Sequence, residues 1–446
     1  MAFPKLAVST ILVILLAGTL TYVLLAPYYA PDGLSASVPI AGPDSQHSSK
    51  PASEDNDHHD DDDDDDDDTD ESTTSCDPSL LPIPLPDDQD NYPPLNITIH
   101  DPSLPILPYD HLPPPHALSD APAAIPLLLS LTRDTVWTAV ANISLQADTF
   151  EPEGLLRLGP DRYILSCGEY TSRTQKFPPE NPIQDGTDRT SGSGFAHLMV
   201  FAADGTRIAD ASISLADKIE YHNGGIDYDG KEIWGALSQY RPNTTATIYA
   251  ADPATLRPRA VIHHPSDHLG AVAVEPVKDD HEDDDDDDDD DDKKKSRRHG
   301  GHRRRITSLN WGGRTATTFK LPPPSSSSSS SSSCIVPHNP PTTKNPSHFV
   351  DYQDCKYMGA WDGGRRLMLC SGVAKLKDDD YNLGGLALVD VDTMLPVAEI
   401  PITLQSDKGV RMTQNPVDFS VEDGKLRLYW APDQHDSTLY IYEAQL

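Results

Sequence analysis

Five hairpins in this sequence open on side chains that could bind a metal ion or a small molecule. Each opening places a carboxylate, an amide or an imidazole just before an apolar strand. The residues are Glu153, His222, Asn223, His268, Gln353, Asp354, Gln414 and Asn415. Two of them, Asp354 and Asn415, lie at the same distance before an Asp-Gly turn, so we expect them to occupy equivalent positions.

The residue types indicate which chemistry these openings could support. Carboxylate and amide oxygens suit Ca²⁺, whereas imidazole nitrogens favour a transition metal. We therefore predict Ca²⁺ as a cofactor, with the ligands Glu153, Asn223, Asp354 and Asn415. We predict a small-molecule site with the residues His222, His268, Gln353 and Gln414. Whether His222 or Asn223 faces the ligand stays open, and the alternative is that all these groups only hydrogen-bond strand ends and water.

The strands that must position these residues are marked by Asp-Gly turns. An apolar run, Asp-Gly and a second apolar run recur around residues 229–230, 362–363 and 423–424. This pattern is the strongest short-range sign of a hairpin, because a two-residue type I′ turn needs positive φ at both positions. The three segments are therefore predicted to be antiparallel hairpins.

A second pattern recurs three times and indicates a repeat protein. Residues 139–148 (AVANISLQAD), 209–217 (ADASISLAD) and 398–407 (AEIPITLQSD) share it. Helical periodicity is missing beyond the N-terminal segment, so the predicted fold class is all-β. A hairpin followed by a third and a fourth strand is the blade of a β-propeller. We predict five four-stranded blades, with six as the alternative, and a ring that residues 139–146 close by pairing beside residues 439–443.

The first 133 residues differ in composition from the rest of the chain. Residues 1–30 contain an uncharged stretch at 6–26, and about 20 apolar residues can span a bilayer. We interpret it as a signal anchor, with a cleaved signal peptide as the alternative. Residues 31–133 are rich in Pro, Asp and Ser and are predicted to be a disordered linker. The body would then be anchored to the membrane, or secreted, outside the cytosol.

Two low-complexity insertions interrupt the predicted propeller at residues 134–446. The first, near residues 278–304, contains an unbroken run of ten aspartates at 283–292 followed by a basic cluster, and the second, near residues 322–347, contains an unbroken run of nine serines at 325–333. Long surface loops cost little closure entropy, so we interpret both as solvated loops. The net charge of −36 argues against nucleic acid as a partner.

The cysteines and sequons fit an extracytoplasmic address. With residues 362–363 as a two-residue turn, counting outward places Cys355 opposite Cys370. Opposed residues in an antiparallel pair have Cα atoms about 4.5–5.5 Å apart, which a disulfide accepts. An oxidising compartment permits the bond, whereas the other three cysteines have no such geometric partner. N-glycosylation is predicted at the sequons of Asn96, Asn142 and Asn243.

Several long motifs carry a resemblance to a family. They are residues 222–230 (HNGGIDYDG), 267–272 (DHLGAV), 349–357 (FVDYQDCKY), 368–373 (MLCSGV) and 411–420 (RMTQNPVDFS). Through them the body resembles an uncharacterised family of predicted secreted, β-propeller-like proteins from fungi and some bacteria. The resemblance implies no activity.

Two functions remain open from the sequence. The chain has no G-x-S-x-G, H-E-x-x-H or P-loop motif. One hypothesis is an extracytoplasmic propeller that binds a metal and a small molecule in its channel and, if it is an enzyme, acts as a metal-assisted hydrolase or lyase. The alternative is a non-catalytic surface binding module on a disordered stalk. The tryptophans Trp234, Trp311 and Trp361 are interpreted as core between blades.

Overall fold

A computed structural model of the chain describes residues 73–85, 95–216, 218–276, 304–321, 334–347, 349–375 and 382–446. The predicted membrane segment, both aspartate runs and the serine run lie outside these residues. Within them, one α-helix, α1 (Ala121–Ser130), accompanies 24 strands. The strands are β1 (Thr73–Ser75), β2 (Ile97–Ile99), β3 (Val136–Ser144), β4 (Glu151–Arg157), β5 (Arg162–Ser172), β6 (Ser193–Ala202), β7 (Arg207–Ser212), β8 (His222–Asn223), β9 (Asp227–Tyr228), β10 (Ile233–Ser238), β11 (Ala246–Ala251), β12 (Pro258–His264), β13 (Leu269–Val274), β14 (Arg304–Asn310), β15 (Thr315–Leu321), β16 (Ile335–Pro337), β17 (Thr342–Lys344), β18 (Asp351–Trp361), β19 (Arg365–Lys375), β20 (Asn382–Asp390), β21 (Pro396–Ile402), β22 (Val417–Glu422), β23 (Lys425–Trp430) and β24 (Thr438–Gln445).

These strands form five sheets in the described part of the chain, and the all-β propeller prediction is confirmed. Blade 1 runs outward from β4 to β7, blade 2 from β8 and β9 to β12, and blade 3 through β13, β14, β15 and β17. Blade 4 runs from β18 to β21, and blade 5 through β22, β23, β24 and β3. Three sheets have four strands as predicted. The other two are larger, because β2 pairs with β7 in blade 1, and β16 and β1 extend blade 2 beyond β12.

The ring is closed by β3, which precedes blade 1 in the chain but belongs to blade 5. It pairs antiparallel with β24, so that Ile143 lies opposite Leu439 and Thr138 lies opposite Glu443. The predicted closing strand is therefore confirmed. Its physical role is to cover the edge of β24, which would otherwise present unpaired backbone groups.

Apolar clusters fill the space between each pair of neighbouring blades. The cluster between blades 5 and 1 contains Tyr429 and Leu439 from one side and Leu155 and Leu165 from the other. Similar clusters lie between blades 1 and 2, 2 and 3, 3 and 4, and 4 and 5. Burying apolar surface contributes roughly 25 cal/mol per Å². Packing therefore holds the ring together all the way round.

The pairing register of β18 and β19 differs in detail from the prediction. Trp361 pairs with Arg365 and not with Gly364, so the turn contains three residues. A bulge within β18 takes up the extra residue. Cys355 therefore still lies opposite Cys370, and a disulfide joins them with a Cα–Cα distance of 4.1 Å.

The Asp-Gly dipeptides differ in their backbone geometry. Residues 362–363 and 423–424 all have positive φ, but only 423–424 form the predicted two-residue turn, because the turn that begins at Asp362 has three residues. At residues 229–230 only Gly230 has positive φ, at 96°. The Asp229 carboxylate instead accepts hydrogen bonds from the backbone N–H groups of the two residues that follow Gly230. The hairpin is present there, but the predicted turn type is wrong.

Much of the predicted linker is part of the folded body. Strand β2 pairs with β7, and α1 packs against blades 4 and 5 through Ala121, Ala124, Ile125 and Leu128. The predicted disorder up to residue 133 therefore does not hold for residues 73–85 and 95–133. The second predicted insertion is also partly ordered, since β16 and β17 lie in residues 334–347. Both segments contain many prolines but bury enough apolar side chains against the blades to be ordered.

A second disulfide joins Cys76 to Cys334, with a Cα–Cα distance of 5.4 Å. The sequence analysis did not anticipate it, because neither cysteine lies in a predicted hairpin. It connects the segment after β1 to the start of β16, while Cys167 is a buried free thiol. Two disulfides are typical of proteins in an oxidising, extracytoplasmic environment. Among the described residues, none of the helices has the length and apolar character to cross a membrane.

Candidate functional site

Four buried charged side chains fill the centre of the ring, and we call them the axial ion cluster: Asp227, Asp354, Lys356 and Asp418. All four lie on inner strands, and each is at most 2% exposed. The ammonium group of Lys356 donates to Asp354 Oδ1 at 2.7 Å and to the carbonyl oxygen of Ile226 at 2.6 Å. One lysine thus faces three carboxylates at the axis of the propeller.

The carboxylates of this cluster join different blades through backbone N–H groups. Asp354 Oδ2 accepts from Leu155 N of blade 1 at 3.2 Å and from Val417 N of blade 5 at 3.0 Å. Asp227 Oδ2 accepts from Val274 N of blade 3 at 2.8 Å. Burial raises the pKa of Asp354 to about 6, although Lys356 and the N–H donors act in the opposite direction. The oxygens of these carboxylates are therefore already used by the fold.

The segment before α1 covers one end of the channel. His116 Nε2 lies 2.6 Å from Asp418 Oδ1, and its ring stacks on Phe419 with centroids 4.1 Å apart. The Tyr228 hydroxyl donates to the carbonyl oxygen of Pro113 at 3.0 Å. Burial alone would lower the pKa of His116, but the carboxylates around it, chiefly Asp418 with Asp120 and Asp227, together raise that pKa. His116 and Asp418 thus form an ion pair that closes this end.

The other end, where the inner strands begin, carries a second group of residues that we call the mouth cluster: Glu151, Glu153, Tyr170, His222, Tyr240, His268 and Trp311. Four of its members are partly exposed, namely Glu151, Tyr170, Tyr240 and Trp311. The other three are buried, with exposures of 5% for Glu153, 5% for His222 and 3% for His268. The cluster therefore has a solvent-facing rim above a buried floor.

Aromatic rings from blades 1, 2 and 3 form a continuous wall in the mouth cluster. The ring centroids of Tyr170 and Tyr240 lie 5.1 Å apart, and those of Tyr240 and His222 lie 4.7 Å apart. His222 stacks on His268 at 5.3 Å, and His268 contacts Trp311 edge-on at 4.9 Å. A wall of this kind offers ring faces to a small molecule.

Both imidazoles of the wall are neutral near pH 7. Burial lowers the pKa of His268 to about 4, and its Nδ1 lies 2.8 Å from the carbonyl oxygen of Gln239. That carbonyl can only accept, so Nδ1 carries the proton and Nε2 is left as an acceptor. Burial, together with His268, holds the pKa of His222 well below its usual value. The Tyr170 hydroxyl lies 3.3 Å from His222 Nδ1.

The two glutamates of the mouth cluster have different partners. Glu151 accepts from Gln434 Nε2 at 2.7 Å and also hydrogen-bonds the Tyr170 hydroxyl, whereas burial raises its pKa. Within the described residues the Glu153 carboxyl makes no hydrogen bond. Burial and the nearby carboxylates of Glu151 and Asp354 raise the pKa of Glu153 well above its usual range. The mouth therefore contains a buried carboxyl that tends to keep its proton.

The structure gathers only part of the predicted site. Glu153, His222 and His268 meet in the mouth cluster, while Asp354 belongs to the axial ion cluster. Within the described part of the chain, no group of three or more His, Cys, Asp and Glu side chains could hold a metal ion. The predicted Ca²⁺ ligands include two amides, Asn223 and Asn415, and calcium binding by Glu153, Asn223, Asp354 and Asn415 stays an untested prediction.

The predicted amide residues hydrogen-bond within the protein, but only for Asn223 is the bonded atom the oxygen. Asn223 Oδ1 accepts from the Tyr249 hydroxyl at 2.9 Å. Asn415 Nδ2 donates to the carbonyl oxygen of Pro152 at 2.8 Å, so Asn415 does not share the role of Asp354. Gln353 Nε2 donates to the carbonyl oxygen of its neighbour Asp351 at 3.2 Å. Gln414 is partly exposed, and its backbone N–H donates to the carbonyl oxygen of Arg411 at 3.0 Å.

Sequence reasoning missed several members of the mouth cluster. Trp311 was assigned to the core, but it is partly exposed in a short 3-10 turn and lies under the Arg189 guanidinium at 4.9 Å. Trp234, in contrast, is fully buried as expected. Glu151 could have been found, because residues two apart on a strand share a face and it lies two before Glu153. No sequence signal marked the tyrosines.

Comparisons with solved structures give distant similarities. The chain is similar to the Trypanosoma rangeli sialidase, with 11% identity over 64% of this chain and 43% of that chain and a TM-score of 0.30. It is also similar to the β-propeller domain of the Trilobed protease from Pyrococcus furiosus, with 10% identity over 67% of this chain and 72% of that chain and a TM-score of 0.22. The matched region thus spans less than half of the sialidase.

The sequence comparisons are more specific. No curated protein matches the chain. A model described as "Family of unknown function (DUF6454)" matches residues 114–280 and 295–446. These ranges include most of the propeller and begin with the segment that covers the channel end. The chain therefore belongs to this family of unknown function, DUF6454.

Proposed function

We propose that this protein binds a small organic molecule at the mouth of its propeller channel. The observation that carries the proposal is the Glu153 carboxyl, which is 5% exposed, makes no hydrogen bond within the described residues and lies near two other carboxylates. The Glu153 oxygens are not among the fully enclosed side-chain atoms that lack a hydrogen-bond partner, so they are accessible from the mouth and can accept from a ligand. Perturbed groups of this kind cluster at functional sites, where stability is sacrificed.

The surroundings of Glu153 have the composition of a small-molecule site. Such sites combine apolar and aromatic walls with a few convergent polar groups. Here the walls are the rings of Tyr170, Tyr240 and His222, and the polar groups are the two glutamates and His268 Nε2. The opposite end is closed by His116 and Asp418, so a molecule would enter and leave through the mouth.

A second candidate function is proton-transfer catalysis, as in a hydrolase or lyase. It is favoured by the different environments of the two glutamates, since Glu153 has no hydrogen-bond partner and Glu151 is held by Tyr170 and Gln434. Two carboxyls whose pKa values are pushed apart can serve as acid and base. Glu153 would donate a proton, and Glu151 would accept one. Asp354 would take no part, because its oxygens are bonded to Lys356 and backbone N–H groups.

The cellular location of the protein is also a proposal. We propose an extracytoplasmic glycoprotein whose N-terminal residues 6–26 act as a membrane anchor or as a cleaved signal. The two disulfides support that compartment, and Asn96, Asn142 and Asn243 are all exposed. Expression in a secreting eukaryotic host, followed by peptide N-glycosidase treatment and peptide mapping, should reveal glycans on these asparagines. Unmodified asparagines in secreted material would overturn the glycosylation proposal.

Binding at the mouth is tested by a thermal-shift screen with two variants. A library of small neutral, cationic and anionic molecules is added to the parent protein, to Glu153→Gln and to Glu180→Gln, which alters an exposed glutamate as a control. We expect compounds that raise the melting temperature of the parent and of the control but not of Glu153→Gln. A library in which no stabilising compound depends on Glu153 would contradict the proposal.

A further inference from the structure

We infer that the molecule bound at the mouth is an organic cation with an ammonium group, held between the carboxyls of Glu151 and Glu153 and the ring faces of Tyr170 and Tyr240. The inference rests on the proposed function, since it names the chemical class of the molecule bound there. It follows from the charge of the mouth cluster, from its aromatic wall and from the absence of a hydrogen-bond partner for Glu153 in the described residues.

The ionisable side chains of the mouth cluster can supply negative charge but no positive charge near pH 7. Its two carboxyls face two imidazoles that are neutral near pH 7. The Arg189 guanidinium is already paired with Asp188. Its Nε lies 2.7 Å from Oδ1 and its Nη2 lies 2.9 Å from Oδ2. Arg173 is close enough to favour ionised Glu151, but its side chain is exposed. An anion would meet these carboxylates, whereas a cation would neutralise them.

The aromatic wall lies directly beside the two carboxyls. The Tyr170 hydroxyl hydrogen-bonds Glu151, and the charge of Glu151 is the largest cause of the raised pKa of Tyr240. Both tyrosines therefore stay neutral and keep electron-rich ring faces. Cations are attracted to such faces within about 6 Å of the ring centroid, and quaternary ammonium groups are recognised in this way. Carboxylates beside aromatic rings are thus a suitable environment for an ammonium group.

Binding of a cation should be linked to the release of a proton. Without ligand, Glu153 tends to stay protonated because it is buried near two other carboxylates. A positive charge within about 4–6 Å favours the ionised form of a carboxyl. The ammonium group would therefore replace the proton of Glu153, with one positive charge entering and one leaving. Affinity should accordingly increase as pH rises.

The test compares choline with its neutral carbon analogue, 3,3-dimethyl-1-butanol, by isothermal titration calorimetry of the full chain. The two molecules have nearly the same shape and differ in charge. We expect choline to bind at least about tenfold more tightly than the analogue, which is the scale of one cation–π contact plus a charge interaction. Ethanolamine and propanol form a second matched pair for a primary ammonium group. Titrations at pH 6 and pH 8, in buffers of different ionisation enthalpy, should show tighter binding and proton release.

Two variants separate the contribution of the Glu153 charge to choline binding from that of the Tyr240 ring. Glu153→Gln should weaken choline binding about tenfold and abolish proton release, while Glu180→Gln should change neither. Tyr240→Leu should weaken binding of choline more than binding of the neutral analogue. Circular dichroism of each variant establishes that the fold is intact.

Each outcome supports or overturns the inference. Equal or tighter binding of the neutral analogues would overturn the inference that the ligand is a cation. The proposal that a small molecule binds at the mouth would still stand. Failure of both ammonium compounds to bind would also overturn it, whatever the neutral molecules do. The proposed function fails separately, when no compound of any charge shows binding that depends on Glu153.

Discussion

The axial ion cluster and the mouth cluster both place buried carboxyls on the inner strands of one propeller. The two clusters differ in the partners that these carboxyls have. Asp354 contacts Lys356 at 2.7 Å and accepts from two backbone N–H groups. Glu153 is almost as buried and has no hydrogen-bond partner in the described residues. The difference indicates that the axial carboxyls hold the blades together, whereas the mouth carboxyl is available to a ligand.

The comparison also shows which oxygens of the predicted calcium site already have partners in the protein. Inner strands that converge in a ring leave backbone N–H groups near the axis, and these need acceptors. Asp227, Asp354 and Asp418 provide them. A carboxylate that already accepts from N–H groups and a lysine has little capacity left for a cation. The same carboxyl chemistry is thus structural at the axis and open to a ligand at the mouth.

The largest expected effect is that of removing the lysine from the axial ion cluster. Lys356→Met would leave Asp227, Asp354 and Asp418 buried without their shared cation. Breaking a buried charge pair by removing one partner typically costs about 3–5 kcal/mol. We expect the free energy of unfolding, measured by urea denaturation at pH 7, to fall by this amount.

The matched control is Lys344→Met, because Lys344 is an exposed lysine at the end of β17. Surface substitutions of this kind usually change stability by less than about 0.5 kcal/mol. A loss of less than about 1 kcal/mol for Lys356→Met would mean that the axial ion cluster does not hold the blades.

A smaller effect is expected at the closed end of the channel. His116→Gln removes the charge that faces Asp418 at 2.6 Å, with Asp120 and Asp227 as the other nearby carboxylates. The pKa of His116 is raised in the folded protein, so its stabilising contribution is complete below pH 6.5 and is lost as pH rises through the folded value. We expect His116→Gln to cost about 2 kcal/mol at pH 5.5 and less at pH 9.

Urea denaturation across this pH range measures the effect. His338→Gln, at an exposed histidine, is the control and should leave the pH dependence unchanged. A cost for His116→Gln that is the same at pH 5.5 and pH 9 would show that the ion pair does not form.

The smallest expected effect concerns metal. Because the axial carboxylate oxygens and the Asn223 amide oxygen are bonded within the protein, we expect EDTA or added Ca²⁺ to change the melting temperature by less than about 1 °C. Differential scanning calorimetry of the metal-free and calcium-loaded protein measures this. A clear decrease with chelator would restore the calcium prediction and remove the contrast between the two clusters.

The parts of the fold that could be predicted are those that the sequence repeats. The pattern at residues 139–148 recurs in later blades, and this recurrence identified the strand that closes the ring. The opposition of Cys355 and Cys370 followed from counting outward from the turn at residues 362–363. That count succeeded although the turn has three residues, because a bulge in β18 compensates for the extra one.

The parts that could not be predicted depend on contacts between distant segments. Residues 95–133 resemble a linker in composition, and Pro126 lies inside α1, yet the helix is ordered by packing against blades 4 and 5. The mouth cluster brings Tyr170, Tyr240 and Trp311 together from three blades. Their proximity is set by how the blades converge, which no local pattern encodes.

The most direct test of the contrast between the two clusters is the sign of the change in stability that two conservative substitutions cause. Free energies of unfolding are measured for the parent, Glu153→Gln and Asp354→Asn at pH 5, 6.5 and 8. Because the pKa of Glu153 is raised, the folded parent keeps a proton that the unfolded chain loses above pH 4.5, so this carboxyl lowers stability as pH rises. Glu153→Gln should therefore be more stable than the parent, by about 1–3 kcal/mol at pH 8 and by less at pH 5.

Asp354→Asn should be less stable than the parent by about 3 kcal/mol at pH 8, because it leaves Lys356 without its carboxylate and places an amide N–H₂ among N–H donors. Opposite signs at pH 8 are the predicted result. A destabilised Glu153→Gln, or an Asp354→Asn as stable as the parent, would contradict the division between a structural axis and a ligand-binding mouth.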